Sequence, residues 1–216
     1  MLGSMSSLLA AIDAEVCGDF AKAIEAYRGL AEGGPSLDRI GIYQALARCH
    51  EKLAKLADAA PWRRRAAQAY MALTDDVMPK EERRYYALVE ARNAVQDLAA
   101  RPEELKEVTE EYRHILAENW RAGPEGLTHE GLFGALFFRD HGDWVTAAKY
   151  FFDTAEAMNE QAFESSDGNM KHAALEAYEL AEEAATKAGR PDVARVAALR
   201  ATALRGGPRP QKVRGL

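Results

Sequence analysis

The sequence predicts an all-α protein built as an α-solenoid of about five antiparallel helix pairs, and three observations carry that reading. Alanine dominates the 216 residues, while valine and isoleucine are scarce and prolines number only 8, a balance that favours helix over sandwich or barrel. Helix breakers fall at near-regular intervals. A small residue followed four positions later by an aromatic recurs at Ala23/Tyr27, Ala66/Tyr70, Val108/Tyr112 and Ala147/Phe151, at spacings of 43, 42 and 39 residues, inside the range of helical repeats. A weaker fifth pair, Ala194/Ala198, follows.

In chain order the breakers are Gly18, Pro35, Pro61, Pro79, Pro102, Pro124, Gly142, Gly168, Pro191 and the Gly-Gly-Pro run at 206–208. They delimit ten segments, each long enough for a helix of roughly 12–20 residues. Pro61, Pro102 and Pro191 suit the first turn of a helix, where the missing N–H costs nothing. Pro35, Pro79 and Pro124 suit loops where a helix has just stopped. Alternation of these two jobs is expected of short turns within helix pairs and longer connections between them. The positions i and i+4 share a helix face, so each small residue admits a neighbouring helix and each aromatic fills the space beside it. A helix pair cannot bury its apolar face alone, so adjacent pairs must stack.

Composition narrows the function. With 48% hydrophobic and 29% charged residues and a mean hydropathy of −0.36, the chain is neither disordered throughout nor membrane-spanning. Lys+Arg total 28 against Asp+Glu 34, which disfavours nucleic acid and anionic membranes as partners. The charge is uneven: residues 1–204 hold 24 basic and 34 acidic groups, whereas Arg205, Arg209, Lys212 and Arg214 follow with no acid. The expected organisation is a non-native leader over 1–4, with Met5 as the native start, a repeat domain over 5–205 and a basic, flexible tail over 206–216. Two cysteines, Cys17 and Cys49, with no Cys-x-x-Cys spacing and no secretory leader, suit a reducing cytoplasm.

Candidate chemistry is sparse. Glu111-x-x-His114 has the spacing of a bundle metal ligand pair, but a second copy and two further carboxylates are missing, so the ligand count favours a solvated face. Cys49 and His50 point about 100° apart on a helix and read as a core residue beside a surface one. His129, His141 and His172 stand near helix ends, where capping or the helix dipole accounts for them. No nucleotide-binding or common hydrolase motif is present, and no cofactor or metal is expected. Arg63-Arg64-Arg65 and Arg83-Arg84 beside Tyr85-Tyr86 resemble a phosphate-tracking surface, but acidic neighbours dilute it and solvated faces with local charge pairs explain it better. Residues 131–138, apolar on every side, must be buried all round or meet a partner. Gly131 and Gly134 would admit a second backbone there.

Gly18-Asp19-Phe20 followed by Ala23, Tyr27 and Pro35 resembles the second half of a tetratricopeptide repeat (TPR) unit. Gly142-Asp143-Trp144 with Ala147 and Phe151 resembles it again, as does Gly189 with Ala194. The middle two pairs lack the Gly-Asp turn, and the first-helix Trp-x-x-Leu-Gly signature is replaced by Ser7, Ala10 and Ala11, or by Gly131, Gly134 and Ala135. The units run to about 40 residues rather than the 34 of TPR, and are in this similar to the soluble NSF attachment proteins. The resemblance covers roughly residues 5–205 and implies a right-handed superhelix whose first helices line a concave surface. By offset that surface comprises Leu8, Ile12 and Glu15; Arg48, Glu51 and Lys55; Glu90, Asn93 and Asp97; His129, Leu132 and Leu136; and Glu176, Glu179 and Glu183. Such a groove is apolar at its start and acidic at its end, unlike the basic carboxylate clamp of chaperone-adaptor TPR domains. The expected function is therefore a non-enzymatic adaptor that captures a basic or amphipathic segment of another protein. Self-association through helix 131–138 is the second reading; a third, an enzyme built inside the superhelix, needs convergent titratable groups that the sequence does not offer, and RNA binding through Arg63–Arg65 and Arg83–Arg84 is the fourth.

Overall fold

The computed structural model describes the backbone of residues 2–32, 36–122 and 128–206. Pro35, Pro124, the turn residues Gly207 and Pro208, and basic residues 209, 212 and 214 lie outside the described residues. Among those described there are ten helices and no strand: α1 (Leu2–Val16), α2 (Phe20–Leu30), α3 (Leu37–Lys52), α4 (Leu56–Ala72), α5 (Lys80–Asp97), α6 (Pro102–Ala122), α7 (Thr128–Asp140), α8 (Trp144–Ser165), α9 (Gly168–Lys187) and α10 (Pro191–Leu204). The chain divides into two compact units, Met1–Asn119 and Trp120–Leu216. Within each, helices pack on their neighbours in sequence, α1 through α5 in the first and α7 through α10 in the second, as a solenoid-like all-α succession requires. None of the described helices is long and apolar enough to cross a membrane.

One turn closes four of the five hairpins. Gly18, Gly142 and Gly189 take positive φ of 78°, 78° and 69°, and the next residue's N–H returns to the carbonyl five residues back: Asp19 to Ala14, Asp143 to Phe138 and Arg190 to Ala185, each at 2.8–2.9 Å. This is the Schellman closure of a helix C-terminus, which favours a residue without Cβ at the left-handed position. In the first two of these turns the following aspartate caps the next helix, Asp19 accepting from the Lys22 N–H at 3.2 Å and Asp143 from that of Thr146 at 3.1 Å. Two residues thus end one helix and start another. The α3/α4 hairpin makes the same turn without glycine: Ala54 sits at φ 56° and Lys55 N–H donates to His50 O at 2.9 Å. Since that turn starts α4 at Leu56, Pro61 falls inside the helix rather than in its first turn, with its ring exposed. Pro191 and Pro102 do open α10 and α6, and Pro79 immediately precedes α5.

The recurring small and aromatic residues lie in the core. Ala23, Tyr27, Ala66, Tyr70, Val108, Tyr112, Ala147 and Phe151 are all buried, so the even-numbered helices use a small side chain to bring a neighbour close and a ring to fill the space beside it. Ala194 and Ala198 are only half-buried, and Ala197 and Ala201 take the inward face of α10. Successive pairs in the first unit are joined by arginine. Arg39 of α3 donates to Leu30 O at the end of α2, and Arg83 of α5 donates to Leu73 O just past α4, each guanidinium answering carbonyls that a helix end leaves unpaired.

Several sequence expectations change here. His50 is not a surface residue: it is 4% exposed, neither ring nitrogen has a hydrogen-bond partner, and burial holds its pKa below the usual imidazole value. Cys49 beside it is buried with its thiol pushed up to about 11, first by burial and then by Glu15, whereas Cys17 is exposed. The arginines at 63, 64 and 83 are not solvated local pairs but reach across helices, as Arg64 does to Glu107 at 2.6 Å and to Glu111. His141 accords with its helix-end reading, with Nδ1 2.8 Å from Phe137 O and its ring against that of Phe137. Helix 131–138 is largely consumed within the second unit, with Gly131, Gly134, Ala135, Phe137 and Phe138 buried and Leu132, Phe133 and Leu136 half-buried.

Candidate functional site

Residues assigned to a binding groove from sequence separate into two groups once their neighbours are known. In the first unit the structure brings Glu51, Glu90 and Asp97 together, but around Arg63 of α4. Arg63 Nη1 donates to Glu90 Oε2 at 3.0 Å and its Nε to Glu51 Oε1 at 3.2 Å, while Gln44 Nε2 donates to Glu90 Oε1 at 2.7 Å. Glu90 is 4% exposed. These carboxylates lie on α3 and α5, and α4 supplies their partner, so they form an internal ionic tie. Burial works against the Arg63 charge; Glu90 and Glu51 outweigh it and hold its pKa above the ordinary guanidinium value. Glu15 is likewise occupied, accepting from Tyr27 OH at 2.7 Å and from Arg48 Nε at 3.2 Å. Lys55 lies just ahead of α4 rather than on α3, Asn93 and Leu8 are half-buried, and Ile12 is exposed.

Asp97 has the least support in this tie. Its Oδ2 is buried without a hydrogen-bond partner, and its pKa is raised to about 7, first by burial and then by the Glu51 charge, with Arg63 opposing. A carboxyl whose folded pKa lies above its unfolded value of 3.8 leaves stability intact below that value. It destabilises progressively as pH rises towards 7, and fully above that. Asp97→Asn should therefore stabilise the protein by about 1–2 kcal/mol near pH 8, after allowance for the water reaching a half-buried carboxyl. Near pH 4 the variant should match wild type. Urea denaturation at the two pH values reads this directly, and an equal gain at both would show that Asp97 does not titrate in this range.

In the second unit Glu176, Glu179 and Glu183 lie on the exposed face of α9, each beside a nitrogen-bearing side chain. Glu176 is 3.2 Å from His172 Nε2, Glu183 accepts from Lys187 Nζ at 2.7 Å, and Glu179 pairs with Arg205. His129 lies exposed in the first turn of α7, with Leu132 and Leu136 half-buried on the turns that follow.

A depression of about 990 Å³ lies elsewhere in this unit, among the ends of α8, α9 and α10. Its origin is a mismatch of helix lengths. α8 has 22 residues and α10 has 14, and Arg200 of α10 pairs with Glu156 of α8, so α10 stops short of the end of α8. The floor is polar but satisfied: buried Tyr178 donates to Glu156 Oε1 at 2.5 Å, and Arg200 Nε lies 2.9 Å from the same oxygen. Burial and then the Glu156 bond raise the Tyr178 pKa well above that of an ordinary phenol, so Tyr178 stays a neutral donor. One wall is apolar, with Ala162, Ala203, Leu204 and Phe163, the last 67% exposed. The rim carries Glu160, Glu164 and Asp167 against a single cation, Lys171. Asp167 also caps α9 by accepting from the Asn169 N–H at 2.8 Å.

Sequence reasoning did not select these residues, because the depression depends on where α10 ends. The one signal available was Phe163, an aromatic set immediately before the polar Ser165-Ser166-Asp167-Gly168 turn. A smaller cleft of about 450 Å³ lies in the first unit, lined by Ala67, Met71, Ala91, Val108 and Ile115. Its rim groups already have partners, Arg64 with Glu111 and His114 with Glu118 at 3.3 Å. Among the described residues, no three His, Cys, Asp or Glu side chains are arranged to hold a metal ion.

No family model and no curated protein matches the chain. Among solved structures, the crystal structure of BtubC (BKLC) from P. vanneervenii is similar to it, with 17% identity, coverage of 95% of this chain and 83% of that one, and a TM-score of 0.49.

Proposed function

We propose that the protein is a non-enzymatic, TPR-like interaction scaffold that captures a basic or amphipathic segment of another protein, and that the α8–α10 depression is where it does so. The observation that carries this reading is the pairing of an apolar wall, with Phe163 two-thirds exposed, and a rim of three carboxylates against one lysine. An amphipathic segment laid there would cover the Phe163 and Leu204 side chains and set its cations against Glu160 and Glu164. The volume is at the upper end of what small ligands occupy, and the open mouth suits a chain segment. The α9 carboxylates Glu176, Glu179 and Glu183 would extend the acidic surface once Lys187 and Arg205 exchange for cations of a partner.

The test is fluorescence anisotropy with a labelled synthetic amphipathic peptide of alternating leucine and lysine turns. It is run on the chain as it stands and with Arg209→Gln, Lys212→Gln and Arg214→Gln, so that the chain's own cations do not compete with the probe. Phe163→Ala, and separately Glu160→Lys with Glu164→Lys, should each weaken binding at least tenfold, and Glu176→Lys with Glu179→Lys and Glu183→Lys should weaken it less. Affinity that is indifferent to both pocket variants, or equal binding of a glutamate-for-lysine version of the peptide, would reject the assignment.

A further inference from the structure

The depression described above is also the place from which the rest of the chain departs. Gly206, directly after α10, lines it, and residues 207–216 continue from that point with Arg209, Lys212 and Arg214 and no acidic residue. The space is the one α10 would have filled had it been as long as α8. A chain leaving Gly206 can cover about 3.3 Å per residue when extended, a reach of roughly 10 Å for the three residues to Arg209, enough to meet the overhanging end of α8. Glu160 and Glu164 follow each other there one helical turn apart, roughly 6 Å. Arg205, the first cation of the run, is already engaged in this manner, pairing with Glu179 of α9. Val213 and Leu216, interspersed with the cations in the sequence, are apolar residues of the kind that a wall of Phe163 and Leu204 would accept.

We propose that residues 207–216 are the resident occupant of this depression, docking in their own chain and setting the affinity that an incoming segment must exceed. The inference rests on the reading of the depression as a site for basic, amphipathic chain. Tethering favours it: a segment joined directly to Gly206 is held at millimolar effective concentration, so weak ion pairs at an exposed acidic rim suffice, and added salt should release it.

Paramagnetic relaxation enhancement tests this in the full chain. A spin label at position 213, from Val213→Cys in a Cys17→Ser background where Cys49 is buried, should broaden the amide signals of Phe163, Glu164 and Lys171 at low salt. Arg209→Gln with Lys212→Gln and Arg214→Gln, or salt raised to about 0.5 M, should restore them. The same triple variant should bind the leucine/lysine peptide about tenfold more tightly than wild type. No selective broadening, or equal peptide affinity with and without the three cations, overturns the inference while leaving peptide capture standing. Broadening seen only between labelled and unlabelled copies overturns the intramolecular form and assigns the contact to a second copy. Broadening with no peptide binding by either chain supports the docked segment and removes the capture reading.

Discussion

Arg63→Met should cost the protein about 3–5 kcal/mol of stability, the range for removing one partner of a buried ion pair and leaving the other uncompensated. The guanidinium is largely buried and serves Glu51 and Glu90 together, with Asp97 near enough to respond to its charge. Methionine replaces most of the volume and none of the hydrogen bonds, so the loss isolates the electrostatic role. Without Arg63, the 4%-exposed Glu90 keeps its bond from Gln44 but loses its countercharge, and must protonate or open the α3–α5 packing. Two outcomes identify the mechanism in urea denaturation. Adding Glu90→Gln to Arg63→Met should recover part of the loss, because a neutral amide removes the orphaned charge. The single variant should also be relatively more stable near pH 5 than near pH 8, since protonation relieves the same defect. Loss of under about 1 kcal/mol, the scale of an exposed pair, or no recovery in the double variant, would mean that water already solvates this cluster.

Gly131→Ala should destabilise by about 2–3 kcal/mol, even though alanine is the better helix former by about 1 kcal/mol. A Cβ at residue 131 would meet the Trp120 ring at 2.5 Å and Thr154 Oγ1 closer still, and neither is the free end of a flexible side chain. Trp120 packs edge-on against Tyr150 at 5.6 Å between centroids, and Thr154 is fully buried. Adding the methyl group therefore requires α7 to shift against α8. Thermal denaturation should show the drop, and Thr154→Ala should restore part of it in the double variant. A Gly131→Ala variant as stable as wild type would mean that α7 is free to move.

The repeat was legible because its devices are local. Breakers fall beside most helix boundaries, the α3/α4 turn excepted, and four small/aromatic pairs identify the inward face of α2, α4, α6 and α8 because i and i+4 are set by helix geometry alone. What escaped depends on long-range meetings. Glu51 on α3 and Glu90 on α5 meet at Arg63, yet nothing local announces that Arg63 arrives there from α4. The Ala54 turn escaped for the opposite reason: its geometry is that of the glycine turns, but the residue that marks them is absent, and pairing of Lys55 with His50 holds alanine where glycine would be preferred. The α8–α10 depression follows from the end of one helix relative to another, a quantity no single segment contains.

The shared clasp at residues 18, 54, 142 and 189 has an evolutionary corollary. Because the same bond pattern seals these four hairpins, a crossover between any two of the joints would excise or duplicate whole modules while leaving each splice geometrically familiar. The succession is thus built to change its number of modules by recombination, without first inventing a new joint.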